Sequence, residues 1–285
     1  MSTGKDRQRQ LAREHYERQM QRRVERETKA KRTAVIGSTV GVLVVVGGVI
    51  AAVTLLGGGD DTSASEATPS AAPSASTSAV AGPKPFDPAT GECGYLADTS
   101  GTVKDVGLPP AKAEAKDATM TLKTSQGDIV VELNGVKAPC TVNSLKHLAA
   151  KKYYNGSKCH RLGSAQFPML QCGDPTAKAD GKAQGDGQGG PGYRLAEENL
   201  EGATYKRGVM AMAKTSEPGT TGSQFFLVFG DIGLSPDYTP VGTITKGLDI
   251  LDKVNKAGVI APGQDGTGAP KETVEIKDVT ISAKS

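Results

Sequence analysis

Two long polar side chains bracket a short apolar run in the stretch Cys159 to Asp174. Arg161 stands near its start and Gln171 near its end, with Phe167, Pro168, Met169 and Leu170 between them. The stretch reads as two short strands joined by a turn. Its apolar set suits either a core or a shallow pocket. A guanidinium and a carboxamide are costly in a core unless paired. Both suit a groove that must bind and distort an amide, so we expect a groove here.

Other chemistries have less to rest on. Gly185-x-Gly187-x-x-Gly190 has the spacing of a dinucleotide fingerprint, but that motif needs a strand before it and a helix opening at it. Here it lies in a loop of Gly, Asp, Lys and Gln. Of the three His, His15 is in a basic N-terminal arm and His147 falls in a helix, where we read it as structural. No His/Cys group has zinc spacing, and no Gly-x-Ser-x-Gly elbow marks a serine hydrolase. We expect no metal and no cofactor. The net charge of +3 is too small to imply a nucleic-acid partner.

The positioning elements follow from periodicity. From about Asp117, Met120 and Leu122, then Ile129, Val131 and Leu133, alternate with a period of two around Ser125-Gln126-Gly127-Asp128, a hairpin signal. Pro139 opens a helix with Val142, Leu145, Leu148 and Ala149 on one face. A Gly-rich loop runs from Gly173 to Gly192. Gly208–Ala213, Ser223–Phe229 and Thr239–Ile244 read as strands, Leu248–Val254 as a second helix and Val274–Ile281 as a closing strand. Many short strands with two helices suggest a closed barrel rather than a doubly wound sheet.

The first 116 residues are organised differently. Residues 1–32 hold eleven Lys or Arg against five Asp or Glu and read as a basic, helix-forming cytoplasmic arm. Residues 33–56 carry no charge over 24 positions, long enough to cross a ~30 Å hydrocarbon layer as a helix. The next Lys or Arg after the arm is Lys84, so the positive-inside rule puts the N-terminus in the cytoplasm and the rest outside. Residues 57–85 read as a flexible Ser/Ala/Pro-rich spacer, residues 86–116 as an extended segment lying on the domain, and 117–285 as the domain itself, expected to be monomeric. All four Cys fall outside the membrane on this topology, where disulfides persist. Four Cys allow three pairings. Cys159 and Cys172 bracket the hairpin and could meet across it, which would leave Cys93 to join Cys140; free buried thiols are the alternative.

Three blocks resemble the central signature of the cyclophilin-type peptidyl-prolyl isomerases: His160-Arg161-Leu162, Gln171 to Thr176, and Gly189 to Tyr193. Gly208 to Ala213 and Gly222 to Phe226 resemble the second half of that family. The resemblance runs from about Thr119 to Ile281. It implies an eight-stranded antiparallel barrel with two capping helices and a groove on the outer face. It also implies catalysis of cis–trans rotation about X–Pro bonds, here in exported or envelope proteins of a bacterial plasma membrane. Arg161, Gln171 and Gln224 would be catalytic; Phe167, Met169, Ala213, Lys214, Phe226, Leu234 and Tyr238 would hold the substrate. A membrane-tethered proline-peptide chaperone is the alternative. This chain has two more residues between Arg161 and Gln171 than the family pattern. It has Lys214 where many members have Asn, Gly233 near the usual Trp, and Tyr238 at the usual groove His.

Overall fold

A computed structural model describes residues 82–182 and 184–284. The arm, the apolar stretch at 33–56 and most of the spacer lie outside the described residues. Among those described, no helix is long and apolar enough to cross a membrane.

Eight strands form one antiparallel sheet. They are β1 (Ala118–Thr124), β2 (Gly127–Leu133), β3 (Arg161–Leu162), β4 (Met169–Cys172), β5 (Val209–Met212), β6 (Phe225–Val228), β7 (Pro240–Lys246) and β8 (Ile276–Ala283). Their spatial order is β8-β1-β2-β7-β5-β6-β4-β3. The helices are α1 (Pro139–Ala150) and α2 (Leu248–Ala257). The expected hairpin is present, with Thr124 opposite Gly127 across the turn.

The expectation of a closed barrel is corrected: the sheet curls, but its edge strands β8 and β3 do not pair with each other. An isolated bridge from Lys158 to Glu275 and the Cys159 N–H donating to the Val274 carbonyl at 2.9 Å join the chain just before each of them, while Leu162 of β3 bridges to Gly268, outside β8. The reason is length. β3 has only two residues before Gly163 turns the chain away, its N–H donating to the Met169 carbonyl at 2.7 Å.

The pleat separates two apolar clusters. Met120, Leu122, Ile129, Val131 and Leu133 face the interior of the curl, where α1 adds Val142, Leu145 and Leu148 and α2 adds Leu251 and Val254. α1 has no side-chain cap of its own. Instead the buried Glu198 carboxylate accepts from the Cys140 N–H at 3.1 Å, the Thr141 N–H at 2.8 Å and the Thr141 hydroxyl at 2.7 Å, supplying both partners and negative charge at the helix start. On β6 every residue is buried, but Phe225 and Leu227 join the interior while Phe226 and Val228 join a second cluster. Residues two apart share a face, so this second cluster lies on the outer face.

The segment before β1 is strapped to the domain. Leu96–Ala97 pairs with Arg194 and Tyr193, and Thr102–Val103 runs parallel to Gly189–Gly190. Disulfides join Cys93 to Cys140 and Cys159 to Cys172, the pairing inferred from the hairpin. Tyr95 donates from its hydroxyl to the Cys140 carbonyl at 2.8 Å. His147 lies 3.1 Å from the carbonyls of both Val106 and Gly107 through Nε2. That histidine holds the strap.

Candidate active site

Strand register assembles the site. Arg161 on β3 stands opposite Gln171 on β4, Gln171 opposite Phe226 on β6, and Phe226 opposite Ala211 on β5. Neighbouring strands lie about 4.8 Å apart. The four residues therefore form a transverse row on the outer face, with the cation at one end and small apolar surface at the other. Met169, opposite Val228, adds a second row.

Beside the row the outer cluster forms an apolar patch. Met169 and Phe226 are each 5% exposed, and Leu234, Tyr238 and Ala213 pack against them partly buried. Tyr205 and Ile232, which the sequence did not single out, complete it. The Tyr238 ring meets Phe226 edge-on at 5.7 Å. Tyr205 fixes that ring's backbone, donating from its hydroxyl to the Tyr238 carbonyl at 2.8 Å and accepting from the Tyr238 N–H at 2.9 Å. Lys214 stands 5.7 Å from the centre of the Tyr238 ring, a cation–π contact. Phe167 lies apart from this cluster, 39% exposed in the turn between β3 and β4. The turn after Gly163, in which the Phe167 N–H donates to the Ser164 carbonyl at 2.9 Å, holds it away from the cluster before Met169 rejoins the sheet.

The polar side chains are held in fixed senses. Arg161 donates from Nε to the Thr267 hydroxyl at 3.1 Å and from Nη2 to Asp265 at 3.2 Å. The Thr267 N–H and hydroxyl hold Asp265 in turn. Thr267, followed by Arg161, keeps that carboxyl below the usual carboxylate range, so the guanidinium keeps an anionic neighbour. No local signal could have linked Asp265 and Thr267 to Arg161, because they are more than a hundred residues away and meet it only when the sheet curls.

Gln224 gives both amide hydrogens to the Gly-rich loop, at 2.8 Å to the Gly187 carbonyl and 2.9 Å to that of Gly189. Its oxygen accepts from Gln171 Nε2 at 2.9 Å. The loop is held from below by the fully buried Asp174, which accepts from the N–H groups of Gly187 at 2.7 Å and Gly189 at 3.2 Å, and from Thr176 through N–H and hydroxyl. A Cβ on Gly189 would collide with an Asp174 carboxylate oxygen and the Pro175 ring, so only glycine allows this approach. Through the chain of bonds from Asp174 by way of the loop to Gln224, Gln171 is held by its amide, and among the described residues its side-chain oxygen accepts no hydrogen bond. Among the described residues no group of three or more His, Cys, Asp or Glu is placed to hold a metal ion.

An arginine, two interlocked glutamines and an aromatic-lined apolar hollow lie side by side on the outer face of a curled antiparallel sheet. Residues 119–281 match the family model for cyclophilin type peptidyl-prolyl cis-trans isomerases. The chain is 40% identical over 210 residues to a probable peptidyl-prolyl cis-trans isomerase B of Mycobacterium leprae, covering 67% of this chain and 68% of that protein. To the counterpart in Mycobacterium tuberculosis H37Rv it is 39% identical over the same length, covering 67% of this chain and 65% of that one. The human peptidyl-prolyl cis-trans isomerase-like 3 is 36% identical over 170 residues, 58% of this chain and 96% of its own. The crystal structure of a Cryptosporidium parvum cyclophilin type isomerase superposes with a TM-score of 0.50 at 26% identity, covering 59% of this chain and 99% of that one. The chain belongs to the cyclophilin-type peptidyl-prolyl cis-trans isomerase family and is an isomerase of that class.

Proposed function

We propose that the protein turns X–Pro bonds in polypeptides outside the plasma membrane, tethered by residues 33–56, with Arg161 as the catalytic group. The observation that carries this reading is the row Arg161, Gln171, Phe226, Ala211 beside the Met169–Phe226–Leu234–Tyr238 hollow. The planar amide resists rotation with a barrier of about 18–20 kcal/mol. At the twisted state resonance is lost and the proline nitrogen regains its lone pair. A guanidinium N–H aimed at that nitrogen stabilises the twisted state over both planar states, with no nucleophile and no proton transfer. The hollow takes the proline ring, and Gln171 holds a substrate backbone group. A ~10⁵-fold acceleration needs about 7 kcal/mol, within the range of an aimed charge plus fixed geometry.

The export reading is supported by the two disulfides, which persist in oxidising compartments, and by the uncharged stretch following a basic arm. Exchange spectroscopy on an Ala-Pro peptide with the full-length chain tests the chemistry. Arg161→Ala should lower kcat/KM by about 10²–10³-fold, the scale of losing one aimed donor. Equal exchange from both proteins would remove Arg161 from the mechanism. Protease added outside intact cells should cleave the domain; complete protection would place it inside.

A further inference from the structure

The Arg161 side chain is long, 40% exposed and carried by an edge strand. A donor that must meet a twisted amide has to be aimed before the substrate arrives. Gln171, opposite it on β4, gives its amide to Gln224 instead. The hold on Arg161 comes from the other side of β3. There Val259–Ile260 pairs with Ala269–Pro270 in a small hairpin. It docks on the residue after Arg161: the Leu162 N–H donates to the Gly268 carbonyl at 2.7 Å, and the Gly268 N–H to the Leu162 carbonyl at 3.1 Å. The hairpin tip is folded on itself, the Gly263 N–H donating to the Thr267 carbonyl at 2.9 Å and the Gly266 N–H to the Gly263 carbonyl at 3.0 Å. Gly266 has φ +73°, and a Cβ there would stand 3.3 Å from that of Ser164. The tip is therefore seated against the turn that follows β3.

Asp265 and Thr267 stand at this tip and take one edge of the guanidinium. The Thr267 hydroxyl accepts from Nε at 3.1 Å and the Asp265 carboxylate from Nη2 at 3.2 Å. The same hydroxyl donates to that carboxylate at 3.0 Å, so the two acceptors are joined to each other. Among the described residues Nη1 donates to nothing. A guanidinium is planar and rigid. Two bonds along the edge facing the hairpin therefore turn Nη1 the other way, towards β4 and the row with Gln171 and Phe226. An ion pair whose partners are 40% and 57% exposed contributes little to stability, so stability does not account for the arrangement. We propose that Asp265 and Thr267 are positioning residues for the isomerisation, clamping the Nε–Nη2 edge of Arg161 and leaving Nη1 as the donor to the proline nitrogen. This rests on Arg161 as the catalytic group.

Exchange spectroscopy over a range of Ala-Pro peptide concentrations, with the full-length chain, separates kcat from KM. Thr267→Val removes the hydroxyl at nearly constant volume. It should lower kcat about tenfold with KM unchanged, the scale of one hydrogen bond to a charged group and the mark of an interaction made only in the transition state. Thr267→Ser keeps the hydroxyl and should restore kcat to near the parent value. Asp265→Ala should act in the same direction as Thr267→Val. In an Arg161→Ala background neither substitution should lower kcat further. Should Thr267→Val lose its fold, Asp265→Ala, at an exposed site, carries the test. An unchanged kcat in Asp265→Ala, a Thr267→Ser as slow as a folded Thr267→Val, or the same loss with and without Arg161 would each overturn the proposal. An Arg161→Ala variant as fast as the parent would instead remove Arg161 from the mechanism on its own account. The Arg161 Nε–H proton signal, identified by its loss in Arg161→Ala, then decides the clamp. Slow exchange with solvent that quickens in Asp265→Ala supports it; exchange already fast in the parent, or unchanged in the variant, overturns it.

Discussion

His160, one residue before Arg161, is 6% exposed, and among the described residues its Nδ1 finds no hydrogen-bond partner. Burial pushes its imidazole below the ordinary value of 6.5, with Asp174 and Asp186 pulling weakly the other way. The unfolded chain therefore binds the proton more readily than the folded one. Stability from this residue is complete above pH 6.5 and is lost as the pH falls through 6.5 towards the lower folded value. A series of thermal melts should show the midpoint declining below pH 6.5, with His160→Gln flattening that part of the curve. An unchanged slope would show that His160 does not govern it. The adjacency of His160 and Arg161 was plain in the sequence; their opposite fates follow from the pleat, which turns one side chain under the Gly-rich loop and the other out to the groove.

At the scale of elements, the Gly-rich loop decides whether the glutamines are aimed. Its conformation depends on Asp174 from below and on the strap beside it. Asp174→Ala would leave the Gly187 and Gly189 N–H groups without their acceptor, at about 2–6 kcal/mol for the two together. Chemical denaturation should register that loss. Turnover should fall further than stability alone explains, because Gln224 loses its anchors. A variant of full stability and activity would show that the loop is held by other means. The glycines of this loop were visible in the sequence, and so was their misfit to a dinucleotide site. Their use as a carbonyl cradle for Gln224 was not, since it depends on Asp174, Gln224 and the strap converging from distant parts of the chain.

For the whole molecule, the Cys93–Cys140 disulfide fastens the strap to α1 across 47 residues. A cross-link of that span restricts the unfolded chain and contributes about 2–4 kcal/mol. Replacing both cysteines by serine should lower the melting temperature by several degrees. The half-buried Tyr95 and His147 contacts should keep part of the strap in place. An unchanged midpoint in the double variant would mean that the strap is seated by its hydrogen bonds alone. With the second disulfide, between Cys159 and Cys172, these links brace the β3–β4 hairpin and the strap on either side of the groove residues.

The sequence by itself determined the local choices. Alternating apolar residues made β1 and β2, Pro139 opened α1, and two cysteines bracketing a turn offered one of three pairings, which the structure contains. With the recurring blocks from His160 to Phe226, it also pointed to the family and to Arg161, Gln171 and Gln224. Only the tertiary structure decided how the sheet ends, because β3 offers only two residues to the eight-residue β8 and their meeting depends on curl. It alone gave Arg161 its partners Asp265 and Thr267, set Tyr205 and Ile232 behind the hollow, and left Phe167 outside it. These are contacts between residues far apart in the chain, and no spacing or periodicity encodes which distant side chain a curled sheet will bring to a given position.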